Sequence, residues 1–257
     1  MRVCLIATAA LFCLVTTVVA EDAPSPVTVA SETGANQPAL AVDSEGKLYL
    51  AYGAGDPTQI WLRTSTDGKE WSEPTLVSEG AYEAMSGNTR GPRIALIEDT
   101  IVVTAFANFR DGEKKHLYCF RKRAKDKKFT AVRVSSDAAR DMEGLHDMTV
   151  DGNGTMHVVW MEARSGGAEP YYACSTSEGK SFKSEQAVYS APDGSICPCC
   201  APSISASDDG KTIVIQFRNK LKAADGQYYN DMHAAVSTNK GRKWSTERLD
   251  DRDRWKG

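Results

Sequence analysis

Three cysteines lie within four residues of one another: Cys197, Cys199 and Cys200. The C-x-x-C spacing of Cys197 and Cys200 suits either a reducible disulfide or a soft metal ion such as zinc or copper(I). His146 and Asp147 are candidate companions, because neutral imidazole and thiolate together favour these ions. The spacing predicts a structural disulfide, Cys197–Cys200 or Cys199–Cys200. A metal site is the alternative, and no cofactor is required.

Three octapeptides along the chain share one pattern of hydroxyl, glycine and aromatic residue, at 64–71, 175–182 and 237–244. Each can be written Ser/Thr-x-x-x-Gly-x-x-aromatic. The pattern predicts a tight turn in which side chains bond their own backbone and glycine takes a positive φ. Recurrence at roughly fifty to sixty residues indicates a repeat architecture.

Each repeat contains four short apolar runs with strand periodicity, separated by turn residues. The predicted strands are 39–43, 47–52, 59–63 and 75–77; 93–96, 100–106, 116–120 and 131–134; 148–151, 155–160, 171–174 and 186–189; 202–205, 212–217, 232–236 and 247–249. Four-stranded units without helical periodicity predict an all-β β-propeller of antiparallel blades. A β-sandwich is the alternative, but it lacks a long-period repeat.

The segment 26–30 resembles an outer strand and precedes the first complete unit. Two interpretations follow: a fragment of a longer propeller, or a four-bladed ring with a spare strand. We expect residues 21–257 to form one propeller domain that is incomplete at its C-terminal side.

The three octapeptides resemble the Asp-box, or bacterial neuraminidase repeat, of the sialidase superfamily, and the resemblance covers essentially all of residues 21–257. It implies a six-bladed propeller and an exo-α-sialidase reaction. In that family an arginine triad holds the substrate carboxylate, a tyrosine assisted by glutamate is the nucleophile, and an aspartate is the acid. Planar guanidinium groups suit a carboxylate because they bind it bidentately.

Carried onto this chain, the family pattern is partly retained. Asn36 stands where the first arginine is expected, and the equivalent position of the second unit holds Arg90. The same register falls on Gly144 and Cys200 in the later units. Asp56 lies in the loop of the family's acid. The tyrosine and its glutamate have no counterpart, since Tyr228 and Tyr229 are predicted to lie in a loop.

Segments that precede the first strand of each blade line the axial channel of a propeller, and they carry several polar side chains. Arg164 and Arg218 follow the second strands of their units and are also expected to point toward the channel. We therefore predict a small polar or anionic glycan-type ligand at the channel. The candidate catalytic residues are Arg90, Asp56 and Arg218, and the candidate ligand-binding residues are Asn36, His146, Asp147 and Arg164. The alternatives are a non-catalytic glycan- or protein-binding propeller and a Cys/His metal or redox site.

The first twenty residues predict a secretory signal peptide, with Arg2 at the start, an apolar run and small residues before Glu21. A secreted or periplasmic location without a membrane anchor follows, and a retained anchor is the alternative. Cys119 and Cys174 end the third strands of adjacent units, which predicts buried thiols or one disulfide between blades.

The chain has a formal net charge of −3 at pH 7, which does not favour a nucleic-acid partner. Its densest basic stretch, residues 114–128, alternates with aromatic residues. That alternation is typical of the solvated face of an edge strand.

Overall fold

A computed structural model of the chain describes residues 26–136, 141–222 and 226–249. The predicted signal peptide and the residues after 249 lie outside this part, so their assignments stay predictions. All regular elements of the described residues are β-strands. The described part holds no helix of a length and apolarity that would cross a membrane.

The strands form four antiparallel sheets. The first contains β1 (Asn36–Val42), β2 (Leu48–Ala54), β3 (Gln59–Ser65) and β4 (Thr75–Leu76). The second contains β5 (Glu83–Ala84), β6 (Arg93–Ile97), β7 (Thr100–Asn108), β8 (His116–Arg123) and β9 (Thr130–Arg133). The third contains β10 (Asp141–Val150), β11 (Met156–Glu162), β12 (Glu169–Ser175) and β13 (Lys183–Ala187). The fourth contains β14 (Ser203–Ala206), β15 (Ile213–Lys222), β16 (Tyr228–Ser237) and β17 (Ser245–Arg248).

In the first, third and fourth sheets the strands follow one another in chain order, from an inner strand to an outer one. In the second sheet β5 and β6 both pair with β7, and β8 and β9 follow in order. The inner strands β1, β6, β10 and β14 contact one another in sequence, so the sheets are arranged around an axis. This arrangement is a β-propeller, and the predicted fold class is confirmed. The four sheets are blades 1 to 4.

Apolar side chains fill the space between successive blades. Ile60 of blade 1 packs in one core with Phe120 of blade 2, and Phe106 packs in a second core with Trp160 of blade 3. A third core joins blades 3 and 4. Burial of each such side chain contributes about 1.5–3 kcal/mol relative to exposure. Since β11 lies in a blade flanked on both sides, all seven of its residues are buried.

The three octapeptides form the predicted turns. In blade 1 the Ser65 hydroxyl accepts hydrogen bonds from the backbone N–H groups of Asp67 and Gly68, at 3.2 and 2.8 Å. The equivalent serines of blades 3 and 4 accept bonds from Gly179 and Gly241, at 3.0 and 2.9 Å. All three glycines have φ between +72° and +76°, which only glycine adopts freely.

The structure corrects several sequence predictions. Residues 26–30 contain no strand. Tyr228 and Tyr229 lie in β16, not in a loop, because β15 and β16 pair up to Lys222. For the same reason Arg218 lies within β15 and does not follow it. The short strand β5 was not predicted; it pairs with the end of β7.

Candidate functional site

The end of the propeller at which the inner strands begin is called the axial end here. Inner strands start there at Asn36, Arg93, Asp141 and Ser203. Because each blade is antiparallel, the connections between its second and third strands lie at the same end. Asp56 and Arg164 belong to two of those connections.

Blades 1 and 2 meet closely at the axial end. The Ser86 hydroxyl hydrogen-bonds Oδ1 of Asn36. A Cβ atom added to Gly91 would lie 2.5 Å from Cβ of Gln37, so only glycine allows this approach of the two chains. Asn36, predicted as ligand-binding, is thereby fixed by the neighbouring blade while its side chain stays exposed.

Asp147 joins three blades. Its Oδ1 accepts a bond from Nε of Arg93 in blade 2 at 3.0 Å, and its Oδ2 accepts a bond from the backbone N–H of Ile204 in blade 4 at 3.1 Å. Both carboxylate oxygens are therefore engaged in contacts between blades. Its predicted role in ligand binding stays a prediction.

His146 is buried between blades 2 and 3, with 2% of its surface exposed. Its Nε2 lies 3.1 Å from Oγ1 and 3.2 Å from the carbonyl oxygen of Thr104, and its ring meets the edge of Phe106. Burial, with a smaller contribution from the charge of Arg93, lowers the pKa of His146 to about 3. The imidazole is thus neutral at physiological pH.

Arg90 closes a tight turn, Gly87–Arg90, in which Asn88 and Thr89 have positive φ. Its Nη1 donates to the carbonyl oxygen of Asn88 at 2.9 Å, and its side chain is half-buried. The turn precedes β6 at the axial end, and the predicted catalytic role of Arg90 stays a prediction.

Arg164 does not point toward the axial channel, as the sequence predicted that it would. Its guanidinium bonds Glu162 and Glu185 and stacks over Tyr171, 4.3 Å from the ring centroid. Tyr171 and Glu185 belong to β12 and β13, the third and outer strands of the blade, so the side chain is directed outward and not toward the axis. The bond to Glu162, supported by the one to Glu185, holds the pKa of Arg164 above its usual range.

Sequence reasoning missed Glu162, which has no exposed surface. Besides Arg164, it accepts a bond from the indole Nε1 of Trp160 at 2.9 Å. The charged donor Arg164 and the polar donor Trp160 compensate the burial of this carboxyl group. The available sequence signal was a strand end that carries Trp160, Glu162 and Arg164 close together.

Asp56 lies at the tip of the connection between β2 and β3, and its side chain is exposed. It precedes Pro57 through a cis peptide bond. The structure does not bring it into hydrogen-bond contact with Arg90 or Arg218. Its role as an acid stays a prediction.

The three clustered cysteines are free thiols, which differs from the predicted disulfide. Sγ of Cys199 lies 2.9 Å from Sγ of Cys197 and 3.7 Å from Sγ of Cys200. Cys119 and Cys174 are also free and buried, so the structure matches the interpretation as buried thiols and not as a disulfide between blades.

Arg218 connects the cysteines to β15. Its Nη1 lies 3.6 Å from Sγ of Cys200, and its carbonyl oxygen accepts the backbone N–H of Cys197 at 3.1 Å. Burial acts to raise the pKa of Cys200, but hydrogen bonds from Arg218 and the neighbouring thiols lower it overall. Of the predicted residues, the structure brings Arg218 together with the cysteines.

A cleft of about 440 Å³ lies at the opposite end, between blades 3 and 4. Asp151, His157 and three cationic residues line it: Lys183, Lys240 and Arg242. His157 contacts Asp151 Oδ2 at 3.3 Å and the Tyr172 hydroxyl at 2.8 Å. In blade 1, Tyr49 contacts Asp43 in the same way at 3.1 Å, so this contact is a repeated structural support of the turn.

No family model matches the sequence, and no curated protein matches it. Solved structures do match its fold. A protein of unknown function from Dyadobacter fermentans has 16% identity and a TM-score of 0.59, over 86% of this chain and 71% of that one.

Two further matches are named for arabinan chemistry. An α-L-arabinanase of Penicillium chrysogenum, complexed with arabinobiose, has 10% identity and a TM-score of 0.59, over 85% of this chain and 67% of that one. An endo-arabinase of Bacteroides thetaiotaomicron has 17% identity and a TM-score of 0.54, over 88% and 85%. Identities this low establish a shared propeller fold and leave the reaction open.

Proposed function

We propose that this propeller binds a polar or anionic carbohydrate at the axial end and acts on it as a glycosidase-like protein. The observation that supports the proposal most strongly is that several blades contribute polar side chains to the axial end. Asn36, Asp147 and Arg218 belong to three different blades, and bonds between blades fix the first two. Solved structures with the same fold include proteins named as arabinanases.

The chemistry of this end suits sugar recognition. Guanidinium groups bind carboxylate or hydroxyl oxygens with several N–H donors in one plane. The amide of Asn36 offers both a donor and an acceptor, as a sugar hydroxyl requires. Arg90 and Arg218 supply the positive charge, and an anionic sugar is therefore the preferred ligand.

A sialidase-type reaction is the finer form of this proposal. In it Arg90 and Arg218 hold the substrate carboxylate, and Asp56 donates a proton to the leaving-group oxygen. As the glycosidic bond breaks, a water molecule bonds to the anomeric carbon and releases a proton to solvent. Water-excluded surroundings favour a carboxyl acid of this kind, and ligand binding must create them, because Asp56 is exposed in the free protein.

A non-catalytic glycan-binding propeller is the second candidate, and the state of the carboxylates favours it. Glu162 and Glu185 are bound to Arg164, and Asp147 is bound to Arg93 and Ile204. Carboxylates engaged in this way are poorly placed to exchange protons with a substrate. Binding without turnover would result.

A panel of substrates tests both candidates. The full chain would be incubated with fluorogenic α-sialoside and α-L-arabinofuranoside and with arabinan, and binding would be measured on a glycan array. We expect Arg90→Ala to weaken binding or turnover roughly ten- to a hundredfold, the equivalent of losing one charged hydrogen-bonded contact.

Arg242→Ala is the matched control, since Arg242 lines the cleft at the opposite end. It should leave binding and turnover unchanged. Glycan binding with no released product would select the non-catalytic candidate. A chain that neither binds nor cleaves any member of the panel would refute the proposal.

A further inference from the structure

The three cysteines of the axial end form a compact set of sulfur donors. Sγ atoms of Cys197, Cys199 and Cys200 all lie within 4.8 Å of one another. Ions that prefer sulfur bind thiolates at about 2.3 Å, so one ion can reach three atoms spaced in this way. Among the residues that the structure describes, this is the only group of three or more thiol, imidazole or carboxylate side chains whose ligand atoms are close enough to share one metal ion.

The backbone holds the set in place. The N–H of Ile196 donates to the carbonyl oxygen of Ala168 at 2.9 Å, and the N–H of Cys197 donates to that of Arg218 at 3.1 Å. These bonds tie the segment to blade 3 on one side and to blade 4 on the other. Cys197 is buried with 6% exposure, while Cys199 is exposed. The donors are thus anchored at one edge and open to solvent at the other.

A single disulfide cannot include all three cysteines. Pairing any two of the cysteines leaves the third as a free thiol in contact with them. If all three were thiolates they would repel one another at these distances, and a cation bound between them would offset that repulsion. Arg218 supplies one positive charge from outside the set, 3.6 Å from Sγ of Cys200. A metal ion between the sulfurs would satisfy all three at once.

We propose that Cys197, Cys199 and Cys200 bind one soft d¹⁰ metal ion, copper(I) or zinc(II), through three thiolates. Each thiol that is protonated beforehand releases its proton to solvent when the metal–sulfur bond forms. The fourth position of a zinc ion would hold water or a ligand at the side of Cys199, whereas copper(I) is satisfied by the three sulfurs. Arg218 would act as a positioning residue that offsets the negative charge of the thiolates.

The experiment measures metal binding to the reduced full chain under anaerobic conditions. Copper(I) and zinc(II) would each be titrated in competition with a chromophoric chelator, and thiolate-to-metal absorption would be recorded in the ultraviolet. We expect one equivalent of one of the two ions, with a mixed competition deciding between them. Arg218→Gln should weaken binding roughly tenfold, as loss of a partner around a metal site does.

Cys199→Ser should abolish stoichiometric binding, and because Cys199 is exposed the variant should fold. Circular dichroism would check that fold. Cys174→Ala is the matched control: it removes a thiol at the opposite end and should leave binding unchanged. The proposal is overturned if the reduced chain takes up neither ion stoichiometrically. It is equally overturned if Cys199→Ser binds as tightly as the original chain.

Discussion

A neutral imidazole is built into the junction between blades 2 and 3. His146 is nearly fully buried, contacts Thr104 through Nε2, and lies near the charge of Arg93. Burial and that charge lower its pKa to about 3, from the 6.5 that applies when the chain is unfolded. His146 is therefore protonated at a higher pH in the unfolded chain than in the folded protein.

The consequence is a loss of stability in mild acid. Between pH 6.5 and 3 the unfolded state binds one more proton at this residue than the folded state, so stability falls as pH falls through that window. The slope contributed by one such group is at most about 1.4 kcal/mol per pH unit. We expect urea unfolding of His146→Gln to depend less steeply on pH than unfolding of the original chain. Parallel pH profiles of the two proteins would contradict this prediction.

At the scale of elements, the turns between third and outer strands support neighbouring blades as well as their own. Gly241, in the turn of blade 4, has φ +76°, and a Cβ added to it would lie 2.7 Å from the ring of Tyr172 in blade 3. Trp244 of the same turn meets that ring edge-on at 5.1 Å. Glycine is needed here both for its backbone conformation and for the space beside the tyrosine.

Alanine substitutions separate the two requirements. Gly46 has φ +84° with no atom near its missing Cβ, so Gly46→Ala measures the conformational cost alone, about 1–2 kcal/mol. Gly241→Ala should cost about 1–3 kcal/mol more, because the tyrosine must move. Chemical denaturation of both variants gives the difference. Equal losses of unfolding free energy would show that the contact with Tyr172 is unimportant.

These turns could be predicted from sequence, because the hydroxyl, the glycine and the aromatic residue act within eight residues of one another. Strand β5 could not be predicted in the same way. Its pairing is set by β7 and by the carbonyl oxygen of Thr58 in blade 1, which accepts the N–H of Ala84 at 2.8 Å. Because these partners are distant in sequence, the two residues of β5 carry no local sequence pattern that would reveal the strand.

At the scale of the whole molecule, one carboxylate joins blades 2, 3 and 4. Asp147 was predicted as a ligand-binding residue from a place just before an inner strand at 148–151, whereas the structure begins that strand at Asp141 and has Asp147 within it. Its contacts with Arg93 and Ile204 lie 54 and 57 residues away in the chain. The repeat register was therefore enough to predict that Asp147 lies at the axial end. It could not predict that Arg93 and Ile204 bind its carboxylate.

Removing this carboxylate should loosen three blades together. We expect Asp147→Ala to lower the free energy of unfolding by about 2 kcal/mol, since an arginine and a backbone N–H each lose a charged acceptor. Glu79→Ala is the control, because its partner Lys128 is largely exposed and such pairs contribute at most about 1 kcal/mol. Urea denaturation followed by tryptophan fluorescence measures both. A change no larger than that of the control would contradict the interblade role.

Apart from β5, each strand pairs with the next strand of its blade along the chain, and this has a consequence for how the polypeptide reaches its fold. Every ladder in the described sheets joins strands that are neighbours or near neighbours in sequence. Loop closure between such strands is entropically inexpensive, and contacts of short sequence separation form early. Each blade can assemble as soon as its outer strand leaves the ribosome, and the preceding blade then offers an apolar face for the next to dock on. The propeller can therefore grow in the direction of synthesis, one sheet at a time.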